Sequence, residues 1–111
     1  MEEAFDYVVN EVAKIALKKL NMDENDPTSI FVMGRILVGI SYQESDRKIA
    51  SGVSEILDAT ALSLRESHIK AIVAEVQEKC ANQVLALQSA YNDIENGSSA
   101  EEALANIQEL L

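Results

Sequence analysis

The chain has 111 residues, with 9 Lys or Arg against 19 Asp or Glu, so its net charge is −10 at pH 7. This length predicts a single domain over residues 1–111, while the acidity argues against direct nucleic-acid binding and favours partners with a basic surface. Hydrophobic residues make up 48% of the sequence but include only three Tyr, two Phe and no Trp, so we expect a core of aliphatic side chains.

The first predicted helix covers about 2–21. Apolar residues recur there every three or four positions between Phe5 and Leu20, as they do on the buried face of a helix. Glu2 and Glu3 lie at its start and two lysines lie at its end. That order of charges complements the helix dipole and supports the assignment.

A second helix is predicted over about 27–43, after a polar loop that holds the only proline. Asp26 followed by Pro27 is a typical pair for an N-cap and a first helical turn. The segment is apolar on most sides, so we expect it at the centre of the fold or at an interface between copies. Gly34 and Gly39 each weaken a helix, and close approach by a neighbouring helix would compensate for them.

Two further helices are predicted over about 45–62 and 63–96. The apolar stripe of the second keeps a helical period along its whole length, which indicates one long helix. The two stripes differ in phase, and Ser63 and Glu66 have the spacing of a capping box, so we expect a break between the helices. One continuous helix over 45–96 is the alternative.

The last predicted helix covers about 99–110. Gly97 suits the left-handed residue that ends the preceding helix. Ser99 and Glu102 have capping-box spacing, which predicts a helix start there. The expected fold is therefore all-α, with four or five helices in a bundle that includes one long helix.

Self-association is expected to complete this bundle. A long apolar helix that outruns its neighbours tends to bury the excess surface against another protein, so we predict a homodimer or another homo-oligomer. The candidate interface residues lie on the second helix and on the long helix: Ile30, Met33, Gly34, Leu37, Val76 and Leu87.

Residues that suggest chemistry lack the partners that chemistry requires. His68 is the only histidine, and no carboxylate lies three or four residues before it, as a helical metal site would need. Cys80 is the only cysteine and continues an apolar stripe, which indicates a core residue. The acidic loop 23–29 lacks the central glycine and distal glutamate of a calcium loop. We therefore predict no catalytic residue, no metal and no cofactor.

The predicted function is that of a non-enzymatic interaction or regulatory protein, such as an adaptor, an assembly factor or a phage-type inhibitor. Its partner would be a protein, bound through acidic side chains. The candidate partner-binding residues are Glu2, Glu3, Asp6, Asp23, Glu24 and Asp26. A single cysteine and an acidic N-terminal segment favour a cytoplasmic location. No apolar run reaches the roughly 18 residues of a membrane span.

Two alternatives remain open. Glu55 with Asp58, and Glu75 with Glu78, are carboxylate pairs one helical turn apart. Such pairs on facing helices can hold Mg²⁺ together with substrate phosphates, which would indicate an Mg²⁺-dependent all-α nucleotide hydrolase. The other alternative is a structural subunit of an oligomer.

Overall fold

A computed structural model describes the backbone of residues 2–56 and 66–111 and the side chains of residues 3–55 and 69–111. Over these residues the chain is all-helical and contains no strand, which confirms the predicted all-α class, although the described α-helices number six rather than four or five. The α-helices are α1 (Glu2–Lys19), α2 (Pro27–Ser41), α3 (Asp46–Ile56), α4 (Glu66–Lys79), α5 (Ala81–Glu95) and α6 (Ala100–Asn106), followed by a 3-10 turn at Gln108–Leu110. None of these helices combines the length and the apolar character needed to cross a bilayer.

Three of the helices end in the same hydrogen-bonded turn. In each, the residue after the C-cap has a positive φ: Asn21 at 57°, Gln43 at 57° and Gly97 at 102°. After α5, the Gly97 N–H donates to the Ile94 carbonyl at 3.0 Å and the next N–H donates to the Asp93 carbonyl at 2.9 Å. This is the Schellman pattern, which satisfies the last carbonyls of a helix. Only the turn at Gly97 was predictable from a glycine.

The predicted helix starts at Asp26 and Ser99 are confirmed. Asp26 is the N-cap of α2 and Pro27 follows it, although the Asp26 carboxylate accepts from the Ser29 hydroxyl at 2.7 Å rather than from a backbone N–H. At α6, the Ser99 hydroxyl accepts from the Glu102 N–H at 3.2 Å, and the Glu102 carboxylate accepts from the Ser99 N–H at 3.4 Å. This reciprocal pair is the predicted capping box.

Helix α2 lies at the centre of the fold, where it contacts α1, α3, α4 and α5. Its two glycines permit these close contacts. A Cβ on Gly34 would lie 2.9 Å from Val9 Cγ1 on α1, and a Cβ on Gly39 would lie 2.6 Å from Ile49 Cγ1 on α3. Both distances are shorter than carbon atoms normally tolerate. The helix propensity lost at the glycines is therefore offset by packing, as expected from the sequence.

The prediction of one long helix over 63–96 is wrong, because the chain breaks at Cys80 into α4 and α5. Cys80 has a non-helical backbone (φ −122°, ψ 27°). Its N–H ends the α4 ladder on the Val76 carbonyl at 2.7 Å, and its carbonyl begins the α5 ladder by accepting from the Gln83 and Val84 N–H groups. An unbroken helix of that length would span roughly 50 Å, longer than the 39 Å greatest extent of the molecule.

The apolar side chains before and after Cys80 are buried. The helical spacing of apolar residues in the sequence therefore continues across the break and does not reveal it. The predicted restart at Ser63, in contrast, lies outside the described residues. Helices α3 and α4, which precede and follow that segment in the chain, contact each other.

Most of the predicted oligomer-interface residues pack inside this chain. Met33, Leu37, Val76 and Leu87 are buried hydrophobic core residues, and Gly34 is also buried. Only Ile30 is partly exposed. The five buried positions therefore stabilise the single chain.

An ion cluster joins the middle of α2 and the loop after it to the start of α3. Arg35 Nη1 donates to Glu44 Oε1 at 2.6 Å, and Lys48 Nζ lies 3.3 Å from Glu44 Oε2. The Glu44 side chain is only 13% exposed. Burial raises the pKa of this carboxyl, but hydrogen bonds and charges from Arg35 and Lys48 outweigh burial and hold the pKa below its ordinary value of 4.5.

Gln83 is the one polar residue among the buried side chains of the described chain. It lies in the first turn of α5 and is fully inaccessible to solvent. Among the described residues, neither its Nε2 nor its Oε1 finds a hydrogen-bond partner. Burial of an unpaired amide costs free energy on the order of 1–3 kcal/mol, so this site lowers the stability of the fold.

Replacement of Glu44 by Gln should lower the free energy of unfolding by about 1.5 kcal/mol at pH 7, because Arg35 loses its counter-charge. A carboxyl whose pKa is lowered by folding stabilises the protein above its unfolded pKa, and that contribution disappears as the pH falls through the folded value. The difference between the parent protein and E44Q should therefore be constant above about pH 4.5 and shrink below it. Urea unfolding between pH 3 and 7 measures this.

The matched control is E11Q. Glu11 pairs with Lys14 at 3.3 Å on the exposed surface of α1, where such pairs contribute little. An equal loss for E11Q and E44Q, or an E44Q difference that grows on acidification, would contradict the assignment.

Gln83→Met should raise the free energy of unfolding by about 1–2 kcal/mol, since Met has a similar length and needs no hydrogen-bond partner. Thermal or urea unfolding provides the measurement. Gln88→Met serves as the control, because the exposed Gln88 Nε2 donates to the Ser41 carbonyl at 3.0 Å and its loss should stabilise nothing. A destabilised Q83M would mean that the buried amide is satisfied.

Candidate functional site

All five aromatic side chains of the chain gather at the surface formed by α1 and α2, and none belongs to the buried core. Phe5, Phe31 and Tyr42 line a groove between these helices. Tyr91 of α5 contacts two of them, and Tyr7 lies beside Phe31 around an adjoining small cavity. In a fold whose core is aliphatic, this segregation marks one region of the surface.

We call this feature the α1–α2 groove; its volume is about 610 Å³. Gly34 and Val9 form its floor, and a Cβ on Gly34 would lie 2.9 Å from Val9 Cγ1. Aromatic and aliphatic side chains form the walls, and polar side chains stand at the rim. The complete lining is Phe5, Asp6, Val9, Asn10, Phe31, Gly34, Arg35, Val38 and Tyr42.

One end of the groove is held by an aromatic triad centred on Tyr91. The ring of Tyr91 meets Phe5 edge-on, with centroids 5.3 Å apart and an interplanar angle of 79°. It meets Tyr42 in the same way at 5.9 Å and 87°. Edge-to-face pairs of this kind contribute about 0.5–1.5 kcal/mol each beyond the area they bury. The triad thereby ties α1, α5 and the end of α2 together and fixes this end of the groove.

The other end presents Phe31, whose side chain is 58% exposed, while Tyr42 is 50% exposed and Tyr7 is 47% exposed. Single exposed apolar residues are ordinary on a protein surface. A contiguous group of large aromatic residues rimmed by polar ones is characteristic of interaction sites. Burial of such a side chain by a partner would contribute about 1.5–3 kcal/mol.

The mouth of the groove is acidic. Asp6 lies at the rim, and Glu3 is one helical turn before it on the same face of α1. Burial, Tyr91 and the carboxylates of Glu95 and Glu44 raise the pKa of the Tyr42 hydroxyl above its ordinary value of 10.0, which places negative charge near this ring. The charge of Arg35, the one basic residue of the lining, is balanced by Glu44.

The predicted partner-binding acids fall into two groups at opposite ends of α1. Glu3 and Asp6 are in its first two turns, and the side chain of Glu2 lies outside the described residues. Asp23, Glu24 and Asp26 are in the loop that follows α1. The 18 residues of α1 separate the groups by roughly 27 Å. Asp6 is the predicted acid that the fold brings into the groove.

In the loop after α1, some oxygens already have partners within the chain. Asp23 Oδ1 accepts from the Asn25 N–H at 2.9 Å, and Asp26 Oδ2 accepts from the Ser29 hydroxyl. The loop is therefore organised around its own turn and the start of α2.

Three of the four carboxylates of the hydrolase alternative lie on the described parts of α3 and α4. Glu55 is exposed near the end of α3, while Glu75 and Glu78 are exposed on α4. Glu75 accepts from Lys79 at 3.2 Å. Asp58 lies outside the described residues. Among the residues that are described, no three Asp, Glu, His or Cys side chains converge as metal ligands.

Of the two remaining candidate residues, Cys80 and His68, the structure describes the side chain of Cys80. The Cys80 thiol is buried, its Sγ lies 3.9 Å from the Ala16 carbonyl oxygen, and burial raises its pKa. It is a core side chain, as the sequence predicted. The backbone of His68 belongs to α4, and its side chain is outside the described residues.

A smaller, aliphatic cavity of about 280 Å³ lies where α1, α2 and α4 meet. Its charged side chain is Glu75, which pairs with Lys79. Ser29 also lines it, and this hydroxyl already donates to Asp26. The cavity contains none of the aromatic residues that distinguish the α1–α2 groove.

Sequence reasoning missed the aromatic surface. Phe5 lies on the apolar stripe of the first predicted helix, and Tyr91 continues the apolar stripe of the predicted helix over 63–96, so the sequence pattern indicates core positions for both. Phe5, Tyr42 and Tyr91 are distant along the chain and meet only in the fold. The available signal was the low aromatic content combined with Phe31, which precedes the buried positions of α2.

The comparisons with known proteins leave the site to be interpreted from its own residues. The chain matches no family model, no curated protein and no solved structure.

Proposed function

We propose that this chain is a non-enzymatic interaction protein that binds another protein through the α1–α2 groove. The observation that carries the proposal is the placement of every aromatic side chain at this surface, with Phe31 more than half exposed. Aromatic side chains are enriched in the residues that dominate binding energy at protein interfaces. An adaptor, an assembly factor or an inhibitor of a host protein would each use such a surface.

The rigidity of the groove supports this function. Its floor is a close helix–helix contact, and Tyr91 holds two of its aromatic side chains in edge-to-face pairs. A surface that is already ordered loses little conformational entropy when a partner binds. The groove is thus suited to recognition without rearrangement of the helices.

Charge favours a basic surface on the partner. The chain carries −10 overall, and Asp6, Glu3 and Glu95 lie around the groove. Such a field accelerates association with a positively charged protein and makes the rate sensitive to salt. The same field repels a second copy of the chain. The sequence argument for self-association was a single long apolar helix, and that helix is divided at Cys80. A mass measurement in solution tests self-association directly.

Phe31→Ala should strongly weaken capture of the partner without lowering the stability of the fold, because Phe31 is largely exposed. Tagged full-length protein is used to capture proteins from the native host, followed by quantitative mass spectrometry. We expect at least one protein to be enriched by the parent chain and to fall about 30-fold with F31A, the effect of a hot spot worth about 2 kcal/mol.

Leu85→Ala is the matched control. Leu85 is an aliphatic residue of α5 that is 53% exposed and does not line the groove. The enriched protein should be retained by L85A. Identical capture profiles for the parent protein and F31A would remove the groove from the proposed function.

A further inference from the structure

We infer that the occupant of the α1–α2 groove is an amphipathic α-helix of the partner, with apolar anchors on one face and Lys or Arg along the flanks. This inference rests on the proposed function and specifies the chemistry of its ligand. It follows from three properties of the groove: its length, the hydrogen bonding of the helix backbones that form its walls, and its charge.

The groove has the length of a short helix. Phe31 and Tyr42 mark its two ends and are 11 residues apart along α2, which corresponds to roughly 16 Å or three helical turns. Helices α1 and α2 run antiparallel, since Phe5 near the start of α1 shares the groove with Tyr42 at the end of α2. A third helix can lay its side-chain ridge between two such helices. Anchors at positions i, i+4, i+7 and i+11 would span the distance from Phe31, over the glycine floor, to Tyr42.

The backbone around the groove favours a helix over an extended peptide. Both walls are α-helices, whose interior N–H and carbonyl groups are already paired. A ligand that binds as a β-strand gains affinity mainly by hydrogen bonding to an open strand edge, and the described chain has no strand. A helical ligand satisfies its own backbone and offers the groove only side chains.

The charge around the groove selects basic flanks. Asp6 stands at the α1 rim, and Glu95 lies close enough to Tyr42 to raise its pKa together with burial and Tyr91. Arg35 does not offset these acids, because Glu44 binds it at 2.6 Å. Lys or Arg side chains beside the apolar anchors would therefore meet carboxylates at the end of the groove that Phe5 and Tyr42 form.

Selection from a display library of random 16-residue peptides tests the inference. The bait is the full chain, and binders that also bind the F31A chain are removed. Enriched peptides should carry apolar residues at i, i+3 or i+4, i+7 and i+11, an excess of Lys and Arg, and few prolines. An enriched peptide should bind the parent chain at least 10-fold more tightly than F31A in fluorescence anisotropy. The Asp6→Asn variant should weaken binding a few-fold at low salt.

Several results would overturn the inference. These are enrichment of proline-rich or acidic peptides, enrichment without helical spacing, and no enrichment over F31A. Replacement of a central residue of the selected peptide by Pro should abolish binding, because Pro interrupts a helix; retained affinity would equally refute a helical ligand. The proposed function is tested separately by capture from the native host. A protein captured through Phe31, together with a library that yields no helical peptide, would refute only the helical ligand.

Discussion

The contact between Gly34 on α2 and Val9 on α1 sets the geometry on which the rest of the molecule depends. Because Gly34 has no side chain, α1 packs directly on the central helix, and there is no room for a Cβ at this position. Below the contact, the aliphatic core closes around α2. Above it, the larger side chains of the same two helices diverge and leave the α1–α2 groove. Core and candidate site are thus two sides of one helix pair.

This packing explains why aliphatic side chains fill the core and aromatic side chains lie at the surface. Helices that approach closely leave room for Val, Ile, Leu and Ala between them, but little room for an aromatic ring. The described core accordingly contains aliphatic side chains, Met33 and Cys80, and the aromatic residues are displaced to the edge of the helix pair. Tyr91 reaches that edge from α5 and connects it to the interior. The candidate site is therefore supported by three helices, although only two of them line it.

The sequence predicted the local features of the fold better than its long-range ones. The helical class, the N-cap at Asp26 and the capping box at Ser99 all arise from residues within one or two turns of each other, and the structure confirms them. The break at Cys80 was missed because it preserves the apolar phase and has no Gly or Pro to signal it. The aromatic groove was missed because Phe5, Tyr42 and Tyr91 come together only through tertiary packing. Of the acids proposed for binding, Asp6 reaches the groove because α1 and α2 are antiparallel.

The placement of the tyrosines also determines which part of the protein its ultraviolet absorption and fluorescence monitor. The chain has no Trp, so its near-ultraviolet absorption and emission come chiefly from Tyr7, Tyr42 and Tyr91. All three lie in or beside the α1–α2 groove, and two of them are in edge contact. Intrinsic fluorescence is consequently a local probe of the groove, and it is insensitive to changes confined to the aliphatic core. The native chain thus carries its own spectroscopic reporter at the surface where a partner would bind.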